Sequence, residues 1–448
     1  MKGTLKYLLS PVFAAGFMWL ATGQAQAVEP DDMPLGQTPE EDTVLLPEDA
    51  TGDGSDLFGE KGGYWHPYIT IGTEFTDNVF NVAEDETSSF IGRIAPGIWF
   101  SLPRTKQIPI TIEPHNTSPG GLQWQVTDYE GTDRYQAYAL AGLDYKAYSE
   151  DSDLNDTDAR LEGLFRYNMR GGLSLQILDS FNYAQDEFGV GSASDENLRR
   201  YTSNLVMGTA DYQITEKLRA KVDLSNYLLD YDEDVNDIFD RTDNTFDIYG
   251  YYMYSPKTSF FLQYRYIDVA YDSAVAKDNN QHYGYGGIKW DPTEKLALRF
   301  KAGYQKREYD ESAVSEDYDW SGLALDFKSL YRWTEKTQFN FDFYRKSEES
   351  DTGTAVDKVT LGAVFKYRQE LTEKLSGALD VRYEDYEYTQ IDFDDRDDTR
   401  FYIRPALQYL FREWMMVELA YSFDTRDSTD EIFDYDTNRV MLNLNFAM

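Results

Sequence analysis

The sequence predicts an all-β protein: a transmembrane, antiparallel, up-and-down β-barrel of about eighteen strands, within a range of roughly sixteen to twenty. Two observations predict it, a repeat of about forty residues and long stretches in which apolar and polar residues alternate. The stretches run past the roughly nine to eleven residues that a tilted strand needs to cross a bilayer. Strands of soluble sandwiches are shorter, about five or six residues, so a membrane barrel is the better prediction.

The repeat is marked by tight turns. Near-identical Thr-Glu-Lys turns begin at residues 215, 293, 334 and 372, and further breaks begin at residues 255 and 412. One unit of about forty residues holds two long strands, one tight turn and one longer loop. The turns therefore indicate hairpins repeated around a closed ring.

The alternation separates two faces. After the turn at 215, Leu218 and Leu224 share one face, whereas Arg219, Lys221 and Asp223 share the other. The same split recurs in later units, as expected of strands with lipid on one side and water on the other. Tyr, Phe and Trp number 36, 26 and 8, and we interpret many of them as interfacial girdles near strand ends. Examples are Tyr249, Tyr251, Tyr252 and Tyr254.

The first 63 residues predict a secreted protein with a segment before the barrel that is not part of it. Residues 1–27 read as a signal peptide, with Lys2 and Lys6, an apolar run at 8–20 and a small-residue site ending at Ala27. Residues 28–63 are acidic and rich in Pro and Gly, which predicts a disordered periplasmic lead, with a lumen plug as the alternative. The barrel is expected over 64–448, in the outer membrane of a Gram-negative bacterium. The absence of cysteine suits passage through an oxidising periplasm.

One stretch breaks the pattern. Residues 103–134 contain Pro103, Pro109, Pro114 and Pro119 around a short apolar run, and proline disfavours a central strand. This irregular insertion is a periplasmic excursion, an inward-folded loop or two short strands. As a connection it leaves eighteen strands, and as a hairpin it raises the number to twenty.

The net charge of −38 is concentrated in the longer loops. Acidic runs occupy 150–158, 230–243, 308–319, 348–357, 392–398 and 424–436. Long loops of such barrels are extracellular, so we expect an acidic outer rim that bridges to lipopolysaccharide through divalent ions. The negative charge disfavours binding to nucleic acid. No acidic run has the residue spacing of an EF-hand loop, so no metal site is predicted.

A barrel of sixteen or more strands encloses an aqueous lumen, which makes transport the default function. Inward-facing basic residues lie within about ten positions of a tight turn, and basic residues in a narrowing attract anions. These candidate pore-lining residues are Arg166, Arg219, Lys221, Lys289, Arg299, Lys301, Lys328, Lys366, Arg382 and Arg404. The alternative is ordinary ion pairing within the wall, with partners such as Glu162, Asp223, Asp326 and Asp380.

Enzyme activity is not expected. The chain has three histidines, His66, His115 and His282, far apart in sequence, and no Gly-x-Ser-x-Gly motif. No catalytic residue or cofactor is predicted. A structural or adhesin barrel with a filled lumen is a further alternative, which single-channel conductance would distinguish from a channel.

Several segments together resemble one family. They are the thirteen residues from Tyr68 to Phe80, the Pro96-Gly97 pair, residues 145–152 and the hairpin at 173–186. Residues 64–448 are similar to the putative beta-barrel porin 2 family, and 103–134 resembles an addition to it. The resemblance implies a porin-like channel associated with exopolysaccharide export, and hence export partners; a general diffusion porin is the alternative. The final strand, with Phe446 near its end, resembles the signal read by the barrel assembly machinery.

Overall fold

A computed structural model describes residues 64–103, 114–122, 134–189, 197–272, 277–310, 318–391 and 393–447. Within these residues the chain forms eighteen β-strands of 12 to 17 residues. Their bounds are β1 Trp65–Thr76, β2 Ser89–Leu102, β3 Tyr135–Tyr148, β4 Asp156–Asn168, β5 Leu173–Gln185, β6 Arg200–Gln213, β7 Leu218–Tyr231, β8 Arg241–Ser255, β9 Thr258–Tyr271, β10 Asn279–Thr293, β11 Leu296–Tyr309, β12 Trp320–Thr334, β13 Thr337–Glu349, β14 Ala355–Glu370, β15 Leu375–Gln390, β16 Arg396–Arg412, β17 Met415–Ser428 and β18 Tyr435–Ala447.

The strands form one closed antiparallel sheet. Each strand pairs with its neighbours in sequence, and β1 also pairs with β18, with Ile71 opposite Leu444. Closure leaves no free sheet edge, which is the condition for a β-sheet to span lipid. β2 pairs directly with β3, so 103–134 acts as a connection and the predicted count of eighteen strands is confirmed.

The alternation places side chains as the sequence predicts. On β7, Leu218 and Leu224 are 44% and 58% exposed on the outer face, whereas Arg219, Lys221 and Asp223 are buried on the inner face. A strand turns successive side chains to opposite sides of the sheet. The apolar outer face is therefore the surface that contacts lipid.

The same rule corrects one prediction about the aromatic residues. Tyr252 and Tyr254 are exposed on the outer face, in keeping with a girdle, but Tyr249 and Tyr251 are each only 4% exposed and point inward. The error comes from reading four nearby tyrosines as one group, although Tyr249 and Tyr251 have the opposite parity to Tyr252 and Tyr254. Half of this aromatic cluster therefore belongs to the interior.

The Thr-Glu-Lys turns share one hydrogen-bonding pattern. The hydroxyl oxygen of Thr215 accepts from the backbone N–H of Lys217 at 3.2 Å, and that of Thr372 accepts from the N–H of Lys374 at 3.2 Å. Threonine thereby satisfies a donor that the end of the ladder leaves open. These turns lie at one end of the barrel, which we call the turn end, and the acidic connections lie at the other, the loop end. The connection between β2 and β3 also starts from the turn end.

The predicted signal peptide at 1–27 and the lead at 28–63 lie outside the described residues. Among the residues that the structure describes, no helix has the length and apolar character needed to cross a membrane.

Candidate functional site in the barrel interior

One side of the interior is filled by aromatic side chains. Five inward-facing tyrosines of β7, β8 and β10 are at most 4% exposed: Tyr227, Tyr249, Tyr251, Tyr283 and Tyr285. Cations lie over four of these rings. For example, the Lys221 Nζ is 4.9 Å from the centroid of Tyr249, and the Lys301 Nζ is 4.5 Å from that of Tyr285. Such contacts stabilise a cation away from water. The wall from β7 to β11 is thus packed.

Residues 114–122 fold into the lumen against this wall. The backbone N–H of Gly120 donates to the Asp243 carboxylate at 2.8 Å, and Arg241 donates to the Ser118 carbonyl at 3.2 Å. Both partners lie within the first three residues of β8, at the loop end. The segment therefore starts from a turn-end connection and reaches the opposite end of the lumen.

For residues 114–122, this placement agrees with the inward-folded loop, one of the three alternatives predicted for 103–134. The remaining stretches, 104–113 and 123–133, lie outside the described residues. On the side facing β13, the Thr117 carbonyl accepts from the backbone N–H of Glu349 at 2.8 Å. The segment consequently contacts two separate parts of the wall.

The tip of the β13–β14 hairpin also enters the interior. Six consecutive residues at the start of β14, 355–360, are buried on both faces, which is unusual for a strand with one face toward lipid. Glu349, the last residue of β13, holds the tip inside, because its carboxylate accepts from Arg307 at 3.0 Å, from Tyr271 at 2.7 Å and from Gln281 at 2.7 Å. A buried carboxylate is stable when charge and hydrogen bonds are both matched in this way.

Lys277 contacts the same tip. It belongs to the connection just before β10 and not to a membrane-spanning strand. Its ammonium donates to the Ala355 carbonyl at 2.6 Å. Burial lowers the pKa of Lys277 to about 8, although Glu349 and Asp351 oppose the shift. Burial alone would raise the pKa of Asp351, but Lys358 and other nearby cations lower it to about 2. The hairpin tip is therefore held by charges that respond differently to pH.

Loop-end connections add a second layer of contacts. Phe188 packs with Val79 and Leu154, and each of the three residues comes from a different connection. Arg199 forms an ion pair with Asp186 at 3.1 Å and donates to the Asp351 carbonyl at 2.9 Å. The longer loops thus fold over the barrel mouth and do not simply extend into solvent.

A cavity remains on the other side of the lumen. It comprises about 1520 Å³, counting space open to solvent, and most of its lining comes from β1, β2 and β14–β18. It extends from Glu418 and Asn445, near the turn end of β17 and β18, to Thr76 and Gln185, the last residues of β1 and β5. The cavity therefore follows most of the height of the barrel wall.

The ten predicted basic residues do not form one group. Three of them line the cavity: Lys366, Arg382 and Arg404. Three others form ion pairs within the wall: Arg219 with Asp211 at 2.5 Å, Lys221 with Asp223 at 2.8 Å, and Arg299 with Asp291 at 2.5 Å.

The remaining four are held in the wall in different ways. Lys289 and Lys301 lie over the rings of Tyr251 and Tyr285. Arg166 donates to Ser174 at 3.2 Å. Lys328 lies in register between Arg299 on β11 and Asp342 on β13. The structure thus brings a subset of the predicted band to the cavity.

Three further cations line the cavity and were missed by the sequence reasoning: Arg93, Lys146 and Arg439. Arg93 pairs with Asp144 at 2.8 Å, and Arg439 lies 3.8 Å from Glu74. All three occur in the loop-end half of their strands. The alternation along β2, β3 and β18 already indicates that these three side chains face inward. The sequence prediction missed them because it considered only basic residues within about ten positions of a tight turn.

The three histidines remain apart from one another. His66 stacks on Trp99 at a centroid distance of 3.9 Å, His115 is hydrogen-bonded to Thr117, and His282 contacts Tyr264. Within the part of the chain that the structure describes, no group of three or more His, Cys, Asp or Glu side chains could hold a metal ion.

The chain was compared with curated proteins, with solved structures and with protein-family models. No curated protein matches the chain. Solved structures that are similar include the outer membrane protein opdK from Pseudomonas aeruginosa, with 9% identity, coverage of 86% of this chain and 99% of that chain, and a TM-score of 0.44. OccAB3 from Acinetobacter baumannii has 9% identity, coverage of 86% and 98%, and a TM-score of 0.46.

OccK2 (OpdF) from Pseudomonas aeruginosa, solved in complex with glucuronate, has 9% identity, coverage of 87% and 99%, and a TM-score of 0.46. The family model described as putative beta-barrel porin 2 matches residues 131–448, which include β3 to β18. With that match over most of its length, the chain belongs to the putative beta-barrel porin 2 family and is an outer-membrane, porin-like β-barrel.

Proposed function

We propose that this barrel carries an anionic solute across the outer membrane and that the solute is an acidic polysaccharide moving outward. The observation that supports the proposal is the cavity, because Lys366, Arg382 and Arg404 line it along β14–β16, where Arg404 is paired with Glu418 and the lining as a whole holds as many carboxylates as cations. Arginine binds carboxylates through paired hydrogen bonds. Basic groups in a narrow, polar passage raise the local concentration of anions.

The acidic loop end favours outward movement. Loops such as 232–240 and 429–434 carry many carboxylates, and these would repel an anion that approaches from outside. Salt at about 0.15 M screens this repulsion beyond roughly 8 Å, so the effect acts near the mouth. Divalent ions bridging the same carboxylates to lipopolysaccharide would anchor the rim in the outer leaflet.

Planar-bilayer recordings and a deletion strain test the proposal. The wild-type barrel should carry current with a reversal potential that favours anions, and changing Lys366, Arg382 and Arg404 to Gln should shift it toward cations. Deletion of the protein should lower the amount of acidic polysaccharide on the cell surface. A cation-selective wild type, or unchanged polysaccharide after deletion, would contradict the proposal.

A second candidate is a diffusion porin for small solutes. The observation that favours it is the crowding of the interior, because residues 114–122 and the β13–β14 tip occupy part of the lumen. A small solute needs less space than a polymer. Slower uptake of a small anion in the deletion strain, with normal surface polysaccharide, would support this candidate over export.

A further inference from the structure

We propose that solute passes along one side of the lumen only, through the cavity bounded by β14–β18 and β1–β2, and that this cavity binds an acidic saccharide. The inference about the ligand rests on the proposed function, whereas the inference about the path does not.

Exposure separates two sides of the interior. The side chains of Arg93, Arg404 and Arg439 are 13–16% exposed beside the cavity. On the opposite wall, the side chains of Arg241, Arg265 and Arg307 are 3%, 4% and 0% exposed. A guanidinium that solvent does not reach is also not reached by a solute. The loop-end half of the wall from β8 to β11 is therefore closed to passage, whereas Arg299 near the turn end of β11 is 25% exposed.

Packing explains the closed side. A Cβ atom added at Gly121 would lie 2.2 Å from the Tyr227 ring, so the inward segment is in direct contact with the aromatic wall. The Tyr227 hydroxyl also donates to the Asn116 side chain at 2.9 Å, so the segment and the ring are packed together without space for a solute. In contrast, residues lining the cavity pair with one another from strand to strand: Lys366 with Asp380, Asp380 with Arg404, Glu418 with Asn443, Met441 with Glu74 and Glu74 with Ile91.

The lining fits a hydroxylated anion. Its cations are Arg93, Lys146, Lys366, Arg382, Arg404 and Arg439, and it contains an equal number of carboxylates together with neutral Asn and Thr side chains. Saccharide hydroxyls both donate and accept hydrogen bonds, so they match a lining that contains donors and acceptors together. A sugar carboxylate adds a partner for the guanidinium groups. An acidic saccharide uses both properties, whereas a simple inorganic anion uses one.

The path is tested by single cysteines, because the chain has none of its own. Met441 lines the cavity at the middle of β18. Met207 lies at the middle of β6 and packs against the buried cluster that includes Leu205 and Tyr227. The two positions therefore share residue type, inward direction and depth. We expect a negatively charged methanethiosulfonate reagent to reduce the current of Met441→Cys severalfold and to leave that of Met207→Cys unchanged.

Mass spectrometry of each treated protein establishes whether the cysteine has reacted. A labelled Met441→Cys barrel that conducts normally would overturn the inference, as would equal block of both variants. Asn443→Cys offers a second cavity position if Met441→Cys does not fold. The result is independent of ion selectivity, so a one-sided path that prefers cations would refute the proposed function and leave the path standing.

The ligand is tested with oligogalacturonate as the probe and a neutral maltooligosaccharide of equal length as its control. Oligogalacturonate should block the wild-type current at a concentration at least tenfold below that of the neutral sugar. Arg382→Gln should weaken the block severalfold, whereas Lys306→Gln, which removes a charge from the outer face, should not. Equal block by the two sugars would exclude an acidic saccharide as the preferred ligand.

Discussion

The backbone N–H of Gly120 donates a hydrogen bond of 2.8 Å to the carboxylate of Asp243, which lies 123 residues later in the chain. Gly120 and the following Gly121 have φ values of +74° and +68°, a region that side-chain-bearing residues rarely adopt. The inward segment 114–122 therefore depends on two glycines to turn against the wall.

A larger residue at Gly121 should displace this segment and enlarge the lumen. In Gly121→Val the added atoms would collide with the Tyr227 ring, and we expect single-channel conductance to increase. Gly163→Val is the matched control, since a Cβ at Gly163 meets nothing within 4 Å. Both variants should still migrate faster unboiled than boiled on a gel. Unchanged conductance in a folded Gly121→Val barrel would show that 114–122 does not restrict the pore.

A charge on the outer face should destabilise the barrel according to its depth. Leu224 is the seventh of fourteen residues in β7 and 58% exposed, so Leu224→Arg should cost about 2–4 kcal/mol at the bilayer midplane. Leu218→Arg, at the turn end of the same strand, should cost only about 0–1 kcal/mol. Urea unfolding in lipid vesicles measures both. Equal costs for the two variants would contradict the assignment of this face to lipid.

The orientation of the barrel predicts which end is accessible from outside the cell. Ile432 is 74% exposed in the connection between β17 and β18, and Glu373 is exposed in a Thr-Glu-Lys turn. Because short turns of such barrels are periplasmic, a membrane-impermeant maleimide should label Ile432→Cys on intact cells but not Glu373→Cys. The reverse labelling pattern would mean that the barrel is inverted.

The docking of the β13–β14 tip should strengthen as pH rises above 8. The pKa of Lys277 is lowered to about 8 from its usual 10.5, so the folded state disfavours the charged form. The resulting cost is present in full below pH 8 and disappears between pH 8 and 10.5. Hydrogen exchange of residues 350–355 should show the protection of the wild type rising relative to Lys277→Met over that interval. A constant ratio from pH 7 to 10 would refute the role of Lys277.

The sequence by itself determined the two faces of each strand and the ends at which turns and loops lie, and it left the number of strands at eighteen or twenty. Those features are local: alternation has a period of two residues, and the Thr-Glu-Lys turns satisfy their own backbone donors, as at Thr215 and Lys217. The same signal predicted that Arg219 and Arg382 both face inward.

Only the tertiary structure decided that these two arginines have different surroundings. Arg219 lies in an ion pair with Asp211 beside the ring of Tyr251, whereas Arg382 lines the cavity. The difference arises from inward side chains of the neighbouring strands, Asp211 on β6 and Tyr251 on β8, which enclose Arg219. Contacts of longer range, such as that between Gly120 and Asp243, join residues that come together only after the sheet has closed.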